Sequence, residues 1–263
     1  MKPFARNLNA VVAIAAREVM NFVRSPGDMI FTFIFPIIFM GILGGSLAQN
    51  LSGGVDFNLM QFILFGIIVS TLYQTTMMSI TSLIEDREND FTQELFVAPI
   101  SRYALILGKI FGGAFTSLFS LVGLFVIALL MQIPLTLVDV ERTLLIWPVI
   151  CIAGGALGIL FISLVNDSHT ADWGSMMLVF PQMFLAGIMI PISQSTGLLG
   201  VLAHLMPMTY LADLLRNIIY AGSPAYSQIV LYSPVLDLAV TVGFAAVFII
   251  AGTLLFTRNE RNR

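Results

Sequence analysis

Apolar runs of about twenty residues alternate along this chain with short polar breaks. A hydrocarbon core of about 30 Å takes roughly 20 helical residues to cross. On that measure six spans are predicted, over 29–47, 59–84, 104–131, 144–165, 174–192 and 234–256. Pro36 lies inside the first span and predicts a kink there. The breaks fall at 48–58, at Gln132–Arg142 and at the polar stretch Asn166–Trp173. Ahead of the first span, residues 8–24 show helical spacing of Val12, Ala16, Val19 and Val23, with Arg17, Asn21 and Arg24 on the opposite side. That pattern predicts an amphipathic helix lying in the membrane interface with its basic side towards head groups. Ser25-Pro26-Gly27 ends it, and Asp28 is placed to cap the next helix.

The segment from Pro191 to Ser233 fits no simple span. Leu198, Leu199, Leu202 and Leu205 recur at helical spacing, Pro207 interrupts, and Tyr210–Tyr220 makes a second short helix holding Asp213 and Arg216. A pair of re-entrant or interfacial half-helices between spans five and six is expected, because broken backbone is tolerated at membrane depth only where protein buries it. The fold class is therefore all-α integral membrane. Residues 1–27 form a cytoplasmic interfacial helix, 28–257 the transmembrane domain and 258–263 a cytoplasmic tail.

Composition strengthens this reading. The 263 residues are 58% hydrophobic and 10% charged, against about a quarter charged in soluble domains. A net charge of -3 gives no footprint for nucleic acid. The single cysteine, Cys151, excludes an internal disulfide. Arg17, Glu18 and Arg24 interrupt the N-terminal stretch, so no cleavable signal peptide is expected. Lysine and arginine fix the orientation. With both ends inside, Lys2, Arg6, Arg17, Arg24, Arg87, Arg102, Lys109, Arg258, Arg261 and Arg263 are cytoplasmic, and only Arg142 and Arg216 lie outside.

One cytoplasmic break stands out. Between the second and third spans, Glu85, Asp86, Arg87, Glu88, Asp90 and Glu94 crowd into ten positions, too charged for hydrocarbon. Asp90–Val97 can form a short helix with Phe91, Leu95 and Phe96 among acids, stopped by Pro99. Such a helix on a water-facing loop suits docking of a soluble partner. Elsewhere chemistry is sparse. His169 and His204 have no metal-ligand spacing, and Cys151 and Ser163 have no histidine on a span, which speaks against an intramembrane enzyme. There is no phosphate-binding glycine loop of the Walker type. The spans carry almost no ionisable groups, which argues against an ion-coupled carrier. Gly108/Gly112 and Gly154/Gly158 allow close helix approach, within the subunit or between subunits.

The stretch from Ile84 to Lys109 reads acid-Arg-Glu, then Glu-Leu, then Val-Ala-Pro-Ile-Ser-Arg, then Leu-Gly-Lys. It resembles the membrane subunits of ABC-2 type exporters, including the daunorubicin-exporter-like and polysaccharide-exporter branches. Met206–Tyr210, followed by Asp213 and Arg216, is similar to that family's outer motif. Asp90-Phe91 departs from the Gly-Thr that many relatives carry. The resemblance implies a permease of the bacterial plasma (inner) membrane, in a complex of two membrane subunits, a homodimer being favoured over a heterodimer, and two copies of a separate ABC ATPase. No cofactor belongs to this chain; ATP and Mg would be bound by the partner ATPase.

The same resemblance implies that Asp86, Arg87, Glu88, Phe91, Glu94, Leu95 and Phe96 form the ATPase-coupling helix. The apolar residues would be buried anchors, and Asp86, Glu88 and Glu94 would pair with basic residues at the rim. Candidate substrate-cavity residues are Phe62, Phe65, Tyr73, Gln74 and Met77 on the second span and Met177, Phe180, Met183 and Phe184 on the fifth. Outer-gate candidates are Pro207, Tyr210, Asp213 and Arg216. The methionine- and phenylalanine-rich walls favour export of a lipophilic drug-like molecule or lipid over a polysaccharide or glycolipid.

Overall fold

The computed structural model describes residues 3–51, 57–88, 102–165, 167–192 and 197–261, and every regular element among them is a helix. In chain order these are α1 (Pro3–Arg24), α2 (Pro26–Ile38), a π-helical stretch (Phe39–Gly44), α3 (Gly45–Leu51) and α4 (Leu59–Glu88). There follow α5 (Arg102–Leu130), α6 (Leu137–Ile162), α7 (Ser168–Leu185), α8 (Leu198–His204), α9 (Pro207–Ile219), α10 (Tyr226–Ile229) and α11 (Pro234–Arg261).

Among the described residues, four stretches are long and apolar enough to cross a membrane: Leu59–Asp86, Ala104–Leu130, Leu137–Ile162 and Tyr226–Leu255. A fifth is gained if α8 and α9, bent by 80° at the break before Pro207, count as one span. Four of the six expected spans thus have a helix long and apolar enough among the described residues, and the first and fifth do not. The first expected span is divided among α2, the π stretch and α3, and its apolar part covers only 32–47. The fifth stops early: α7 ends at Leu185 and spends its first turns on polar Ser168–Trp173. The fourth starts earlier than expected, because Thr136 and Asp139 close a capping box that brings Asp139, Glu141 and Arg142 into α6. Likewise α2 starts at Pro26, a residue suited to a first turn, so Asp28 lies within the helix and not ahead of it.

Helix α4 is the centre. From Phe62 to Ser70 each residue is buried, and α5, α6, α7 and α9 all pack on it. Glycines set the closest approaches. A Cβ on Gly154 would sit 2.3 Å from the Tyr73 carbonyl oxygen, and one on Gly158 2.8 Å from Ile80 Cβ, so this pair seats α6 against α4. Gly108 and Gly112 do the same for α5 and α1, where a Cβ would meet Ile14 at 2.8 Å and Glu18 at 2.6 Å. Both glycine pairs therefore serve packing inside the subunit.

Helix α1 packs along α5. Its exposed apolar residues are Leu8, Val12, Met20 and Val23, while Ala10, Ile14 and Ala15 are buried against α5. Arg17, expected on the basic side of this helix, turns to the Asp86 carboxylate.

Candidate functional site

Helices α4 and α5 bracket residues 89–101, and the roots of that segment are tied together by charge. Lys109, two turns into α5, is 1% exposed. Its Nζ donates to Glu18 Oε1 of α1 and to Ser82 Oγ of α4, each at 2.7 Å, and lies 2.7 Å from Asp86 Oδ2. Those three acceptors use all three ammonium protons. Arg17 grips the same Asp86 with two nitrogens, Nη2 at 2.6 Å from Oδ1 and Nη1 at 3.3 Å from Oδ2. Burial works against the Arg17 charge, but the bond to Asp86 and its field prevail and hold the guanidinium above its usual range. The Ser79 hydroxyl donates to the Lys109 carbonyl oxygen at 2.8 Å and lies 3.3 Å from Glu18 Oε2. Two cations and two carboxylates thus close on each other, and Gly112 gives Glu18 the room to enter.

Two residues on, Glu88 accepts from the Ser168 amide at 2.9 Å and from the Ser168 hydroxyl. That bond fastens the end of α4 to the start of α7, where Asp167 already caps by accepting from the Thr170 amide at 2.8 Å. Of the expected coupling residues, Asp86, Arg87 and Glu88 complete α4, and Asp86 and Glu88 find their partners within this chain. Phe91, Glu94, Leu95 and Phe96, with the helix expected over Asp90–Val97, lie outside the described residues.

A second polar knot holds the other end of α4. Helix α9 starts on Pro207 and is buried on nearly every side. Arg216 donates from Nη1 to Gly187 O at 2.9 Å, and from Nη2 to Ile188 O at 2.9 Å and Phe62 O at 3.3 Å. Its guanidinium lies 3.5 Å from the centre of the Phe62 ring. The first two carbonyls belong to the chain just past the end of α7, so the arginine satisfies backbone that the broken helix leaves open. Gly66 makes room, since a Cβ there would fall 2.3 Å from Ile188 O. Asp213 accepts from the Leu231 and Tyr232 amides at 2.9 and 2.8 Å and so fixes the turn before α11. Tyr210 stacks on Tyr232 and donates to His204 O at 3.0 Å. The four outer-gate candidates therefore occur together in one buried brace.

The cavity candidates do not gather round one space. Phe62, Phe65, Tyr73 and Met77 are core residues of α4, fully packed, and Gln74 is half-buried. Phe65 meets Tyr220 edge-on at 6.3 Å. On α7, Met183 is buried, whereas Met177, Phe180 and Phe184 point outward, with Phe39 edge-on to Phe180 at 6.4 Å. The division follows from α4 being surrounded while α7 lies at the margin. A depression of about 480 Å³ lies elsewhere, lined by Arg142, Asn217, Ile218, Ala221, Gly222, Tyr226 and Pro234. Cys151 approaches the Ser117 hydroxyl at 3.4 Å, and Trp147 Nε1 donates to that hydroxyl at 2.9 Å, an internal polar contact far from any histidine among the described residues.

Local pattern missed Glu18, Lys109, Asn217 and Asp237 as structural partners. A signal existed for two of them, since Lys109 and Asp237 fall inside segments otherwise apolar enough to be spans.

Comparison with known proteins gives a consistent picture. The family described as ABC-2 type transporter matches residues 9–220. The inner membrane transport permease YadH of Escherichia coli K12 is 26% identical over 211 residues, covering 77% of this chain and 79% of that protein. The YadH of Shigella flexneri is similar to the same degree.

Proposed function

The chain belongs to the ABC-2 type transporter family, and on that premise we propose that this multi-pass permease subunit exports a lipophilic drug-like molecule or lipid, by alternating access driven by a separate ATPase. In this reading two ATPase copies hold ATP and Mg, and two copies of the chain form the membrane part. The relative named as an inner membrane permease supports a plasma-membrane location, and the lysine and arginine distribution supports cytoplasmic termini.

The observation that carries the reading is the charge knot at the roots of 89–101. A docking segment transmits force only if its ends are rigidly held to the helices that must move. Here Lys109 and Asp86 lock those ends together and to α1, and Glu88 adds α7. A push on the segment would therefore move four helices as a unit. The outward strip of Met177, Phe180 and Phe184 supports an apolar substrate over a glycan, because flexible thioethers and phenyl rings adapt to varied apolar shapes.

Co-purification in mild detergent tests the reading. An ABC ATPase should come down with the wild type and be lost from a Phe91→Ala, Glu94→Arg double variant. Recovery of the membrane chain without any nucleotide-binding partner, under conditions that keep it folded, would remove the power source from this account.

A further inference from the structure

Near the outer-gate candidates lies a buried acid that the brace does not need. Asp237, in the first turn of α11, is 0% exposed. Its Oδ2 accepts from Asn217 Nδ2 at 2.8 Å, while its Oδ1 has no donor among the described residues. The Thr241 hydroxyl, one turn further along α11, is buried and unpartnered as well. Asp213 is in hydrogen-bonding contact with Asp237, and its oxygens already take the Leu231 and Tyr232 amides.

The charges do not balance. Arg216 is the cation that acts on Asp213, and its nitrogens Nη1 and Nη2 are committed to three carbonyls. Arg142, from α6, donates to Ile219 O. Asp139, also from α6, is closed in its capping box. The other titratable groups facing the acids are the phenols of Tyr210 and Tyr232, with His204 of α8 bonded behind Tyr232. One guanidinium offsets one carboxylate and leaves the second bare. Two ionised carboxylates in contact repel, and a hydrogen bond between carboxyl groups needs a proton on one of them.

We propose that Asp213 and Asp237 hold one proton between them, exchanged with the medium filling the neighbouring depression, and that this proton fastens the start of the last span to α9. The depression is close. Asn217 and Tyr226 both line the depression, the Tyr226 hydroxyl bonds Asn217 Oδ1, and Asn217 Nδ2 reaches Asp237. Loss of the proton adds a second negative charge beside Asp213 and weakens its hold on residues 231 and 232. The site needs only this fold and stands whether or not the exporter reading does.

The test uses the full chain in lipid nanodiscs without an ATPase. Infrared spectra of the wild type should show a protonated carboxyl stretch at neutral pH that shifts in heavy water and disappears at high pH. Asp237→Asn and Asp213→Asn should each lack it. In parallel, hydrogen exchange over residues 226–237, corrected for intrinsic rates, should rise roughly tenfold as the site deprotonates in the wild type and stay flat in Asp237→Asn. If a variant does not fold, the wild-type spectrum and exchange profile decide alone. Absence of the band at neutral pH, or its survival in both variants, overturns the proposal. So does protection that follows added sodium and not pH, which would give the site to a metal cation.

Discussion

The two ends of α4 carry buried charge in opposite states of balance. At the Asp86 end, Arg17 and Lys109 face Glu18 and Asp86, and each charge has an opposite partner. At the Phe62 end, about 35 Å away along the axis, two carboxylates share one arginine whose bonds go to backbone carbonyls. The first arrangement is balanced and serves as a rigid joint. The second is resolved only by taking up something positive. Burial alone does not distinguish a clamp from a switch; the count of opposite charges within reach does.

The largest effect is expected where balance is removed from the joint. Lys109→Met strands Glu18 and Asp86 on Arg17 and should cost about 3–5 kcal/mol, read as a lower melting temperature of the detergent-solubilised chain. Adding Glu18→Gln, which restores one cation to one carboxylate, should recover part of that loss. No recovery would mean that packing, not charge, is what Lys109 supplies.

The next test applies the same change to both ends. Asp86→Asn removes the anion that two cations share and should cost about 2 kcal/mol or more, as expected for charged hydrogen bonds. Asp237→Asn replaces an acid that holds a proton with an amide of the same shape and should lie within about 1 kcal/mol of wild type at neutral pH. Equal losses would erase the distinction between the two knots.

How much of this was legible in the sequence depends on range. The helical class, the amphipathic α1, the broken stretch around Pro207 and the grouping of Tyr210, Asp213 and Arg216 all rest on spacing within a few turns, and each has its counterpart in the fold. The partnership of Arg17 with Asp86 joins positions 69 residues apart, and that of Glu18 with Lys109 joins positions 91 apart. Hydrophobic periodicity carries no signal at such separations. The cavity-wall candidates on α4 come from the family resemblance and not from periodicity, and Tyr73 among them is buried, as is Thr76, where α6 presents glycines opposite them. Two of the expected spans lack a full-length helix among the described residues for a local reason, since Pro36 and the polar opening of α7 each shorten the regular helix.

The smallest effect belongs to a charge outside both knots. Asp167 is solvent-exposed at the N-cap of α7, one residue before the serine that Glu88 holds. The amide of Thr170 donates to its carboxylate and, as the chief cause, holds it below the usual acid range. A depressed carboxylate stabilises the fold above its ordinary titration range and loses that contribution as pH falls through the depressed value. Asp167→Ala should therefore lower the melting temperature slightly at neutral pH, and the gap to wild type should close in acid. A gap that persists in acid would place the effect in the capping geometry alone and leave charge at this helix end without a part in holding α7 to α4.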